Sequence, residues 1–173
     1  MNKIFAFDYM LCLFEQWYKD EGKESMNFQN CSKLSVLKLL FLTAAPKREG
    51  ARDLLDVFNN FHALPYGPVE SDIYNAIQDN RLPSYIVTER SIIKKENVIL
   101  PYKIEDYTQI KDAVNNLKEK NDHLILLNDF SLVEITNKWE SLRQSIAFAR
   151  LMEMSSYKMT VESIRNDRNK YFE

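Results

Sequence analysis

Only three of the 173 residues are glycine, at positions 22, 50 and 67. A loop that cradles phosphates needs several glycines close together, so P-loop and dinucleotide fingerprints are excluded, and no Gly-x-Ser-x-Gly elbow is present. Histidine is as sparse: His62 and His123 stand far apart, outside any His-x-x-x-His spacing, and Cys12 and Cys31 form no Cys-x-x-Cys pair. This predicts no metal site, no cofactor and no activated nucleophile, and two unpatterned cysteines suit a reducing, cytoplasmic compartment. Charge of one sign is also lacking, since a formal net charge of −2 offers no electrostatic footprint for nucleic acid. The longest apolar run, Leu39 to Ala45, is too short to cross a bilayer, and Asp8 interrupts the apolar start where a signal peptide would be unbroken. No membrane association, internal repeat or low-complexity linker is expected. The least poor catalytic set is His62, Tyr66 and Asp72 around one turn. Packing is the better account of His62, so the sequence reads as that of a non-enzyme.

What the chain has is apolar material in helical order. With 45% apolar and 12% aromatic residues, a chain of this length can bury a core without disulfides or metals. From Lys3 to Tyr18, residues Ile4, Phe7, Leu11, Phe14 and Tyr18 share one helical face, Asn2 can cap the start, and Gly22 marks the stop. A second helix spans 32–45, with Ser32 as N-cap and Pro46 beyond its end, and it is apolar on most sides. A third is expected from about Ala51, with Leu54, Leu55, Phe58 and His62 along one side. Asp106 with Gln109, and Ser131 with Glu134, have capping-box spacing and should each start a helix. Two more patterns run from Glu140 to Met152 and from Val161 to Tyr171, the latter capped by Thr160. Between 84 and 102, Tyr85–Thr88 and Val98–Leu100 are rich in β-branched and aromatic residues, which suits a short hairpin, with a helix across Ile86 to Ile93 as the alternative. The expected fold is mainly α, a compact orthogonal bundle of about seven helices with room for one small β-hairpin.

The most informative stretch is Phe61-His62-Ala63-Leu64-Pro65-Tyr66-Gly67-Pro68-Val69-Glu70-Ser71-Asp72-Ile73-Tyr74, where a turn opens into a helical pattern. Pro68 reads as a first-turn proline, and Glu70 with Asp72 places negative charge at the positive end of the helix dipole. Val69, Ile73 and Ile77 then recur on one face, in a helix that ends near Asn80. Gly67, between an aromatic ring and a proline, implies a special backbone angle or a close approach by another segment.

Lys33-Leu34-Ser35-Val36-Leu37-Lys38-Leu39-Leu40-Phe41-Leu42, then Tyr66-Gly67-Pro68-Val69, resemble in order and spacing the motifs of the Panacea domain, the SocA-like antitoxin family, and Thr136-Asn137-Lys138-Trp139 partly matches a third, with the Trp closer than is usual there. Asn137 stands where the family usually has histidine. The resemblance covers roughly residues 3–140. It implies a single domain over 1–173 with a C-terminal helical extension from about 155. It further implies an antitoxin-like protein that binds a cognate toxin and blocks it by sequestration, with protease adaptation as a second role in the family. Lys38, Gly67, Pro68 and Val69 would be structural members of the motif, while Tyr66, Tyr74 and Trp139 are candidates for the partner-binding surface. Neutralisation calls for an affinity of about nanomolar, near −12 kcal/mol, through an interface of roughly 1,600 Å² with a few aromatic anchors.

The rival reading is a helix-turn-helix or winged-helix regulator of a mobile element, with the Pro68 helix reading DNA and 84–102 as a wing. Glu70 and Asp72 weigh against it, because acidic groups at the start of a recognition helix repel phosphate. The run Arg165-Asn166-Asp167-Arg168-Asn169-Lys170 could contact phosphate, but interrupting acids make a solvated helix face the better account.

Overall fold

The computed structural model describes residues 1–22 and 27–173. Its architecture is mainly helical, with a small antiparallel sheet and a separate hairpin. Helix α1 (Lys3–Glu21) starts where Asn2 Oδ1 accepts from Ile4 and Phe5 N–H at 3.0 and 3.1 Å. Helix α2 (Lys33–Ala44) is capped by Ser32, whose Oγ accepts from Ser35 N–H at 3.0 Å, and it is buried along nearly its whole length. It is the element around which the core closes: Phe41 meets Phe61 and Trp139 edge-on at 5.3 and 5.1 Å.

The expected third helix is absent. Leu54, Leu55 and Phe58 are buried as the pattern requires, but only one turn forms, closed by Phe58 N–H on Leu54 C=O at 2.8 Å. Strand β1 (Phe61–Leu64) follows and pairs with β2 (Gly67–Glu70), Leu64 opposite Gly67, across the two-residue turn Pro65-Tyr66. Pro68 therefore lies in a strand and not in a first helical turn. The missing N–H that suits a helix start suits the edge of a sheet equally, and β2 is an edge in the order β2-β1-β5. Helix α3 (Ser71–Gln78) begins three residues later than expected. Its cap is Glu70, buried, with Oε2 accepting from Ile73 N–H at 2.9 Å.

The hairpin at 84–102 exists with a different second strand. Strand β3 (Tyr85–Val87) pairs with β4 (Ile92–Lys94), and residues 98–100 stay irregular, Ile99 being 93% exposed. Thr88 decides this locally: its N–H donates to Ser91 C=O at 2.8 Å and its hydroxyl accepts from Ser91 N–H at 3.0 Å, so the chain reverses before Val98 is reached. Neither expected capping box forms. Helix α4 (Thr108–Lys120) grows out of a 3₁₀ turn, Ile104–Tyr107, without a side-chain cap. Helix α5 (Asp129–Asn137) is capped by Asn128, and Ser131 donates its N–H to that cap at 2.9 Å where it was expected to be the cap itself.

Helix α6 (Glu140–Leu151) matches its pattern. Beyond it, strand β5 (Tyr157–Lys158) joins β1, and helix α7 (Val161–Arg165) is capped by Thr160 as expected but stops well short of Tyr171. Two contacts explain the stop: Asp167 accepts from Ser141 N–H at the start of α6 at 3.1 and 3.2 Å, and Lys170 Nζ donates to the carbonyls of Arg165 and Asp167 at 2.8 and 2.6 Å. The residues after 155, expected as a helical extension, thus supply a strand, the short helix α7 and a lid over Trp139, with Phe172 edge-on to its indole at 5.8 Å. No helix among the described residues is long and apolar enough to cross a membrane.

Candidate functional site

The β1–β2 turn presents Tyr66 to solvent, 71% exposed, while the next residue is pinned beneath it. Gly67 has φ +97°, a region that side chains strain to occupy. A Cβ there would lie 2.8 Å from Thr136 Oγ1 and 3.1 Å from Lys38 Cε. Lys38 is fully buried on α2, and its Nζ donates to Pro68 C=O at 2.8 Å. No carboxylate among the described residues compensates it, and burial pushes the pKa of its amine down to about 7. Thr136 closes the third side from α5 and donates its hydroxyl to Val133 C=O at 3.0 Å. Lys38, Gly67-Pro68 and Thr136, drawn from three distant stretches of sequence, converge on one point.

Trp139 does not belong to an exposed surface. Its indole is fully buried, with Nε1 donating to Tyr171 C=O at 3.1 Å, so of the three expected partner-binding aromatics it is a core anchor. Tyr74 is half-exposed on α3, and Lys33 Nζ sits 4.7 Å from its ring centroid. Val69 packs against the core from β2.

The start of α3 is an ionic knot. Lys3 Nζ reaches Glu70 Oε1 at 2.6 Å and Asp72 Oδ2 at 2.5 Å, and Asn60 donates its side-chain N–H to Asp72 at 2.9 Å. The Lys3 contact holds the Asp72 carboxyl below the usual range. Burial opposes the Lys3 ammonium, but the hydrogen bonds to Asp72 and Glu70 outweigh it and raise its pKa. His62 stands in β1 opposite Val69 and Lys158, and no hydrogen bond among the described residues links it to Tyr66 or Asp72. Of the C-terminal cations, Arg165 forks onto Asp53 at 2.8 and 3.0 Å and reaches Asp56 at 2.7 Å.

Two features escape sequence spacing. Glu21, Asp122 and His123 bring one donor atom each within 4.8 Å of one another, although Asp122 and His123 are exposed and Lys118 Nζ already lies 3.4 Å from Glu21 Oε1. Asn137, at the end of α5, has a buried Oδ1 with no hydrogen-bond partner among the described residues. A mismatch of that kind can be seen only once the surrounding elements are in place. Compared with protein-family models, curated proteins and solved structures, the chain matches none of them.

Proposed function

We propose that this chain is an antitoxin-like protein that neutralises a partner toxin by direct binding, with Tyr66 as an anchor of the contact. The observation that carries this reading is the convergence of the three Panacea-like segments. Lys38, Gly67-Pro68 and Thr136 belong to the three separate motif-like stretches, and they meet at hydrogen-bond and van der Waals range. That packing fixes the turn and holds Tyr66 outward on a rigid base. A turn whose backbone is already fixed loses less entropy on binding than a loose one, which favours an aromatic hot spot on it. Sequestration needs no general base, nucleophile or cofactor, in keeping with a chain whose histidine and carboxylates near the turn are not wired together.

Co-expression with the protein encoded by the adjacent reading frame tests the proposal. Growth should be rescued and the two proteins should copurify. Tyr66→Ala should weaken the complex by roughly 30-fold or more, the effect of a hot spot worth about 2 kcal/mol, and abolish rescue. The same variant should melt within about 2 °C of the parent, because an exposed ring contributes little to folding. Rescue should survive His62→Ala and Cys31→Ser. Rescue by substoichiometric protein with no complex, or its loss in a folded His62→Ala variant, would point to catalysis and overturn the reading.

A further inference from the structure

The outer face of α6 carries apolar side chains that the fold does not cover. Phe148 and Leu151 on α6, and Met152 and Met154 just past its end, are exposed, Leu151 by 77%, while Leu142, Ser145 and Ala149 of the same helix are buried. Core packing accounts for one stripe only. Phe148 stacks on Tyr157 at 5.7 Å, which ties this face to β5 and so to the sheet that carries Tyr66. Clustered exposed apolar residues on a monomer mark contact surfaces, and methionines adapt readily to a partner.

Between α6 and the β1–β2 turn runs a groove of about 320 Å³, lined by Pro65, Asn137, Leu142, Ile146 and Ala147 together with Arg143 and Arg150, and Arg143 also borders a neighbouring pocket with Glu134 and Glu173. No acidic side chain lines it. Neither arginine has an ion-pair partner among the described residues. The two stand two turns apart on one stripe, about 10 Å along the axis. We propose that this groove docks an acidic amphipathic helix of the partner protein. Two carboxylates spaced i and i+7 pair with Arg143 and Arg150, and an apolar side chain between them lies on Ile146 and Ala147, with Tyr66 beside Pro65 at the rim. A second copy of this chain is a poor occupant, because a two-fold contact through the groove brings arginines against arginines. Only the identification of the partner as a toxin rests on the proposed function.

The probe is a stapled helical peptide with Glu at i and i+7 and Leu at i+3 and i+4, compared with a twin carrying Lys in place of Glu, each titrated against the full chain. The acidic peptide should bind roughly tenfold more tightly than its twin and protect backbone amides in 142–154 and at Tyr66 from exchange. Arg143→Glu with Arg150→Glu should reverse that preference, and Ala147→Trp, which fills the groove from an exposed position, should weaken both peptides, without shifting the melting curve. Equal binding, no binding, protection elsewhere, or a dimer that Leu151→Asp dissolves overturns the inference. The adjacent-frame protein supplies the second arm. If it binds the parent and the double arginine variant equally, the docking face is wrong and the antitoxin reading stands. If it fails to bind while the acidic peptide binds as described, the antitoxin reading fails and the docking face stands.

Discussion

Gly67→Val should destabilise the protein by about 3 kcal/mol and lower its melting midpoint by roughly 6–12 °C. Two separate costs combine. A β-branched residue at φ +97° is strained wherever its side chain points, which accounts for about 1–3 kcal/mol. The new Cβ also meets Thr136 Oγ1 at 2.8 Å, and Thr136 is held by its own hydrogen bond to Val133 C=O, so it cannot withdraw freely. Gly67→Ala in a Thr136→Ala background separates the costs. Removing the hydroxyl relieves the contact and leaves the backbone strain, so Gly67→Ala should cost less there than in the parent, but not zero. A midpoint change below about 2 °C for Gly67→Val would show ordinary geometry at the turn.

The parts of this fold that sequence reveals are those decided within a few residues. Asn2, Ser32 and Thr160 are caps because a short polar side chain just ahead of an apolar-periodic run reaches the next backbone N–H groups, whatever the rest of the chain does. The errors share the opposite cause. Pro68 satisfies a helix start and a sheet edge equally, and the choice is made by Phe61–Leu64 pairing across the turn. Leu54, Leu55 and Phe58 have helical spacing, yet Asn60 is drawn into the next element: its N–H donates to Glu70 Oε1 at 3.2 Å and its carbonyl accepts from Ser71 N–H at 2.9 Å. The last helix is cut short because Asp167 serves α6 from a distance. Local spacing cannot anticipate such long-range partners.

The candidate site divides in the same way. That Gly67 needs a close approach is legible from a lone glycine between tyrosine and proline, whereas the identity of what approaches, Thr136 and Lys38, is set by the tertiary fold. Trp139 was indistinguishable in sequence from a surface anchor, since large aromatics serve cores and interfaces alike. The exposed stripe of α6 had a readable signal that periodicity at one face passes over. Ala147, Phe148, Leu151 and Met152 add apolar residues outside the Leu142, Ile146 and Ala149 stripe, and a helix apolar on two sides must either be central or meet a partner.

Lys38→Met should stabilise the protein near pH 6, by a margin that shrinks as the pH approaches 9. Lys38 is fully buried with one hydrogen bond, to Pro68 C=O at 2.8 Å, and burial lowers its pKa to about 7, whereas an unfolded chain holds its lysine near 10.4. Between these values the unfolded state binds a proton that the folded state does not. Stability therefore rises with pH through this window, at up to about 1.4 kcal/mol per pH unit. Below pH 7 both states are protonated and the penalty of burying the ammonium is constant, on the order of a few kcal/mol. Methionine keeps the apolar stem and removes both the penalty and the hydrogen bond, the latter worth about 1 kcal/mol. The variant should thus lead the parent by most below pH 7, and its lead should shrink steadily from pH 7 to pH 9, reaching its floor only when the unfolded lysine also loses its proton at about 10.4. Burial pushes the Cys31 thiol up to about 12, which costs stability above about pH 9 in both proteins. That contribution cancels in the difference between variant and parent. Urea midpoints of the two proteins from pH 6 to 9 give the result directly. A difference that stays constant across this range would mean that Lys38 keeps its proton in the fold, and that the amine holding the Gly67-Pro68 turn is an ammonium compensated by something other than Pro68.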